Sequence, residues 1–239
     1  MFKRGQVTIF AIISILIIAI IVLFIFLRGN IQKEEIYQPE VAPIANFVQE
    51  CIEETVEEAV YYLALHGGYL DPMEISETGE TYYYQNGTFW YLTKEEAEKE
   101  IQDYFKRNFF ICSSHFLDFP DYIIEEGNFD IIAEIYQEKV LLKINYPITI
   151  KKEGKTLMVE NFGTEINTRF GTIYQLIDEF LKTNPQESLC LSCFSEIFNK
   201  KGFRSEIILT DKNTITFKII DSSQNLNERD LEWVFTIKY

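Results

Sequence analysis

"TYYYQNGTFWYL", residues 81–92, sets six aromatic residues around an Asn-Gly pair. Asn and Gly accept positive φ at both central positions of a two-residue turn, so the stretch predicts an antiparallel hairpin. Strand alternation divides Tyr82, Tyr83, Tyr84, Phe89, Trp90 and Tyr91 between two faces. At least one set belongs to a core. The other offers an aromatic face of the kind that binds carbohydrate or peptide. Asn86-Gly87-Thr88 is also an N-x-[ST] sequon at the expected tip, which makes Asn86 a candidate glycosylation site.

Helical patterns flank the hairpin. Upstream, Ile44, Phe47, Val48, Cys51, Ile52, Val56, Ala59, Val60 and Leu63 recur at three- and four-residue steps, with Glu50, Glu53, Glu54, Glu57 and Glu58 between them. This is an amphipathic helix that ends near Gly67-Gly68. Downstream, Thr93-Lys-Glu-Glu96 reads as a capping box opening a helix through about Asn108. The rest of the chain is richer in strands: Phe129–Ile135, Lys139–Ile150, Lys155–Val159, Ile207–Leu209, Ile215–Ile220 and Trp233–Ile237, with "DSSQNLNERD" as the last connecting loop. One helix follows Gly171 and stops at Asn184-Pro185, and a second covers Glu187–Asn199. Helices and strands without βαβ alternation define an α+β fold with mainly antiparallel sheets.

The expected organisation is an N-terminal segment 1–29, a polar linker 30–43, a helix-hairpin-helix subdomain 44–122 and a strand-rich α+β subdomain 123–239. The boundary is placed at Pro120 and the Glu-Glu-Gly turn. The chain has 239 residues and a formal net charge of -15. Such a surface repels phosphate backbones and carries no basic stripe, so nucleic acid is not an expected partner.

Val7 to Leu27 is a run of 21 residues without a charge. As a helix it would be about 31 Å long, the thickness of a bilayer's hydrocarbon core. It is too long for a signal-peptide core and ends in Leu-Arg-Gly-Asn rather than in small residues at a cleavage site. An uncleaved, single-pass signal-anchor transmembrane helix is therefore expected. The lipid bilayer is its partner, and Lys3 and Arg4 hold the N-terminus on the cytoplasmic side.

Arg4-Gly5-Gln6 directly before this run resembles the class III signal of archaeal pilin-like proteins. That resemblance implies cleavage after Gly5, with Gln6 as the first mature residue. It covers about 25 residues, an extent read from the apolar run itself. Phe10 stands where many pilins carry Glu at the fifth mature position, and Pro39 and Pro43 interrupt the long helix that such subunits continue into the head. The opening Lys-Arg-Gly-Gln-Val-Thr-Ile-Phe is also similar to that of archaeal single-span surface proteins. This likeness implies an N-in, head-out topology and no activity.

The four cysteines are Cys51, Cys112, Cys190 and Cys193. In a head outside the membrane an even count favours disulfides. Three pairings are open, and Cys51–Cys112 with Cys190–Cys193 keeps each bridge within one subdomain. Two rival readings are chemical. Cys190-Leu-Ser-Cys193 has the C-x-x-C spacing of a redox motif, which needs a helix amino end to activate a thiol. Cys112-Ser-Ser-His115 has the helical spacing of a nucleophile–base pair, though it lacks a third, orienting group. A four-cysteine zinc site is weakly signalled, since only one C-x-x-C is present. His66 falls at a helix carboxyl end, where a cation is favourable.

No hydrolase, nucleotide or dinucleotide motif occurs, and no metal or cofactor is called for. The expected protein is a membrane-anchored extracytoplasmic head that binds an envelope protein or surface ligand, or serves envelope assembly, and an oligomer is compatible with it. The alternatives are a pilin-like filament subunit and a surface enzyme of thiol-redox or hydrolytic type.

Overall fold

The computed structural model describes residues 39–183, 189–226 and 229–239, together with Ser14 and Ile17. The expected anchor Val7–Leu27, the processing residues Gly5 and Gln6, and the linker up to residue 38 otherwise lie outside the described residues. Among the described residues no helix is long and apolar enough to cross a membrane. Pro39–Tyr239 form one unit, an α+β head with two largely antiparallel sheets.

Its first element, α1 (Ala42–Leu65), buries the apolar stripe expected from the sequence, from Ile44 through Val48, Ile52 and Val56 to Leu63. Glu53 and Glu54 stay exposed on its other face. The helix ends because Gly67 turns left-handed at φ +62°, which lets the Gly68 amide reach back to the Leu63 carbonyl at 2.6 Å. The hairpin follows as β1 (Tyr82–Gln85) and β2 (Thr88–Phe89). Asn86 and Gly87 sit at φ 51° and 85°, as its two-residue turn requires. Next, α2 (Lys94–Ser113) opens with the full capping box between Thr93 and Glu96 and runs five residues beyond its expected end at Asn108.

The chain then lays down a four-stranded sheet. Its long strand β5 (Lys139–Lys152) pairs with β3 (Ile123–Glu126), β4 (Asp130–Ile135) and β6 (Lys155–Asn167). Pro147 is tolerated inside β5 because the register shifts between Asn145 and Ile148, where no ladder bond from its nitrogen is needed.

Helix α3 (Phe170–Thr183) and helix α4 (Leu191–Lys200) come next. At the start of α3, Gly171 packs so closely that a Cβ there would lie 2.1 Å from the Tyr136 carbonyl oxygen. The last strands, β7 (Arg204–Leu209), β8 (Thr214–Leu226) and β9 (Arg229–Lys238), join the hairpin in a five-stranded sheet of order β2-β1-β9-β8-β7. Within it β1 lies parallel to β9, so the hairpin pairs with the final strand of the chain.

Helix α1 packs against α2, against β6 of one sheet and against β9 of the other. Trp233, Phe170, Phe180, Phe194, Phe217 and Phe235 are fully buried on one side, and Phe105, Phe109 and Tyr146 on the other. Tyr83 extends the first cluster: it stacks on Phe235, donates to the Gly67 carbonyl at 2.6 Å and accepts from Trp233 Nε1 at 3.0 Å.

Three expectations are corrected. Ile123–Glu126, read as a boundary turn, is an edge strand. Its outward glutamates hid it. "DSSQNLNERD" is not a loop; β8 continues through it to Leu226, and β9 begins at Arg229. The polar Asp221 can sit inside this strand because Arg169 meets it there. Finally, Leu189 and Cys190 lie before α4 rather than within it, because the Cys190 sulfur caps the helix.

Candidate functional site

All four cysteines are paired, Cys51 with Cys112 and Cys190 with Cys193. Each bridge marks one corner of the head that carries features beyond plain packing.

The first corner forms where α2 ends. Cys112 ties the end of α2 to Cys51 on α1, and Cys51 is only 1% exposed. Beyond it Ser114, His115 and Phe116 adopt φ values of 44°, 50° and 61° in succession. Left-handed backbone costs roughly 1–2 kcal/mol per residue for side chains with a Cβ. The surroundings hold it in place. Phe116 is buried edge-on against Phe47 at 6.3 Å, while His115 stacks on Phe110 at 5.0 Å and its Nδ1 lies 3.2 Å from Glu126. Glu126 also accepts from the Tyr146 hydroxyl at 2.6 Å. Burial, and then this bond to a carboxylate, push the Tyr146 phenol well above its ordinary range. Three large apolar side chains of the same segment face solvent: Ile111, Leu117 and Ile123, at 74%, 78% and 65% exposure.

These contacts decide the Cys112–His115 question. Cys112 is bonded to Cys51 and has no thiol for an imidazole to activate, while His115 is turned toward Glu126. His66 caps α1 with its Nδ1 2.7 Å from the Tyr62 carbonyl and its ring stacked on Tyr62.

The second corner is the amino end of α4. Cys190 is the N-cap, and its sulfur accepts the Cys193 backbone N–H at 3.2 Å. Ser192 Oγ lies 3.5 Å from the same sulfur. Both cysteines are half-buried. Beneath them Phe194 and Phe198 are fully buried, Phe194 against Phe180 and Phe217 at 5.2 and 4.6 Å. The other end of α4 is tied down by Arg169, which donates to the Lys201 carbonyl at 2.9 Å and stacks on Phe203. Arg169 also makes a two-pronged bond to the buried Asp221. Burial raises the Asp221 carboxyl, but hydrogen bonds from Arg169 and Ser223 outweigh it and hold the group below its ordinary value.

The hairpin has no open aromatic platform of the expected size. Tyr82, Tyr83 and Tyr84 are all buried, because β1 is an interior strand of its sheet. Phe89 is exposed and packs on Tyr84 at 4.8 Å, and Asn86 is exposed at the tip. A depression of about 50 Å³ is lined by Glu40, Val41, Tyr122, Lys152 and Lys155 among others. It has room for a water molecule, far below a small-molecule site of roughly 300 Å³ or more. Its charges serve one another: Lys155 pairs with Glu40 at 2.7 Å and Lys152 lies over the Tyr122 ring. Among the described residues no three His, Cys, Asp or Glu side chains converge to hold a metal ion.

No family model, no curated protein and no solved structure matches this chain.

Proposed function

We propose that the chain is a membrane-tethered extracytoplasmic protein whose head binds a partner in the cell envelope or takes part in its assembly. The observation that carries this reading is the pairing of all four cysteines in a head that follows a 21-residue uncharged run. Disulfides persist in oxidising compartments, and an apolar run of that length suits a bilayer span. The rigid corner at residues 111–123 supports a binding role. Its bridge and left-handed turn constrain the backbone that carries three exposed apolar side chains, and a backbone held in advance loses little entropy on association. Tethering further raises the local concentration of the head, which suits weak contacts.

The test is fractionation of native cells, then intact mass and N-terminal sequencing of the extracted protein with and without reductant and alkylating agent. The reading expects membrane recovery that survives alkaline washing, a start at Met1 or Phe2, and no free thiols. Recovery in the soluble fraction, or four free thiols, overturns it. A start at Gln6 replaces the anchor with a processed, filament-forming subunit.

A further inference from the structure

The two bridges have the same chemistry but different settings, and the second is placed for exchange. Cys51–Cys112 closes a separation of 61 residues and is shielded on its Cys51 side. Cys190–Cys193 closes a separation of three, at the surface, on the amino end of a ten-residue helix. Closing so short a loop adds only about half of what the longer bridge adds, so stability is a weaker reason for the second bridge than for the first. The helix amino end supplies what sulfur chemistry needs. Its first N–H groups, which have no acceptor within the helix, and the positive end of its dipole favour a sulfur that becomes negative, and the Cys193 N–H already points at Cys190 Sγ. Opening the bridge would not release the helix, because Phe194, Phe198 and the Arg169 bond to Lys201 hold it independently.

We infer that Cys190–Cys193 is a redox-active disulfide that exchanges with a dithiol of a partner protein. A partner thiolate attacks Cys190 Sγ in line with the existing bridge. The Cys190–Cys193 bond breaks, its electron pair leaves on Cys193, and that sulfur takes a proton from solvent. The product is a mixed disulfide between the partner and Cys190. The partner's second thiol, once deprotonated, attacks its own sulfur in that mixed disulfide. Cys190 then departs as a thiolate toward the N–H of Cys193 and takes up a proton from solvent in its turn. The partner dithiol has lost two electrons and two protons to become a disulfide, and the Cys190/Cys193 pair has gained both. Exchange with a second protein disulfide runs the same steps backwards and restores the bridge. None of this depends on whether the chain is anchored.

The test uses the full-length protein in detergent. It is equilibrated in a graded series of reduced and oxidised dithiothreitol, trapped by alkylation, and its bridges are counted by peptide mass spectrometry. Reduced and scrambled ribonuclease serves as a model dithiol and disulfide substrate. Cys190–Cys193 is expected to open and close reversibly while Cys51–Cys112 stays closed, with unchanged circular dichroism. The protein is also expected to accelerate disulfide exchange in ribonuclease, and Cys190→Ser with Cys193→Ser to abolish that acceleration while leaving the fold intact. Cys193→Ser alone should accumulate a mixed disulfide through Cys190. The inference is overturned if Cys190–Cys193 opens only together with Cys51–Cys112, if its opening unfolds the head, or if the double variant accelerates exchange as well as the parent protein. Each readout is separate from membrane recovery, so this idea and the anchored reading fail independently.

Discussion

Cys51–Cys112 joins two helices across 61 residues, whereas Cys190–Cys193 spans three residues at the tip of one helix. By loop-closure entropy the first contributes about 4 kcal/mol and the second about 2. The other bonds at each corner run the opposite way. Around Cys112 the backbone is left-handed for three residues and a buried hydroxyl, Ser113 Oγ, has no hydrogen-bond partner. Beneath α4 lies a filled aromatic cluster, and the buried Arg169–Asp221 pair stands at its far end. At the first corner the bridge and the packing of Phe116 and His115 together hold an unfavourable conformation. The other would keep its shape without one. A disulfide therefore has to be read with its surroundings, because loop length and local packing together decide whether it is a staple or a reactive group.

The largest effect should come from removing the staple. Replacing Cys51 and Cys112 by serine is expected to cost about 4 kcal/mol, which lowers the melting temperature of a domain this size by roughly 8–16 °C. Thermal unfolding followed by circular dichroism measures it. A smaller drop than that of the Cys190/Cys193 double variant would reverse the comparison.

Next comes the ion pair. Asp221→Ala strands the Arg169 guanidinium and should cost about 3 kcal/mol, which urea titration can read. The same group gives a pH signature. Its folded pKa lies below the ordinary 3.8, so the stability it adds is complete above that value and is lost as the pH falls through the lower folded one. The difference in stability between parent and Asp221→Asn should therefore shrink under acid and hold constant at neutral pH.

Replacing Cys190 and Cys193 by serine should cost about 2 kcal/mol or less, with α4 still folded. A much larger loss would make the second corner a staple as well. The smallest effect runs the other way. Ser114→Gly relieves one left-handed residue and should stabilise the head by about 0.5–1 kcal/mol, provided that the bridge and the contacts of His115 and Phe116 hold the turn against its own preference. No gain, or a loss, would show that the turn is at ease without restraint.

Much of this was legible because it was local. Asn86-Gly87 and Thr93 to Glu96 form their turn and cap from neighbouring residues, and α1 shows its buried stripe at helical spacing. What escaped was decided by distant partners. Glu125 and Glu126 disguise a strand that exists only as a neighbour of Ile148 and Thr149. Asp221 looks like a loop residue until Arg169, 52 positions away, is seen to neutralise it. The left-handed turn has no glycine to announce it, and the start of α4 rests on a cysteine acting as a cap. That last point moved the C-x-x-C pair from inside a helix to its amino end, where its chemistry changes.

The parallel pairing of β1 with β9 bears on the order of folding. Tyr82–Gln85 and Arg229–Lys238 are neighbours in one sheet, yet most of the head lies between them in sequence. As the chain emerges, β5 and β6 can zip together early, since a short turn joins them. The hairpin, by contrast, stays without its neighbour until the last strand arrives, with three consecutive tyrosines uncovered. Such non-local closure is slow and leaves an edge open to wrong partners. The head should need shelter during that interval, and a truncation that removes β9 should leave a sticky, half-built sheet rather than a smaller stable domain.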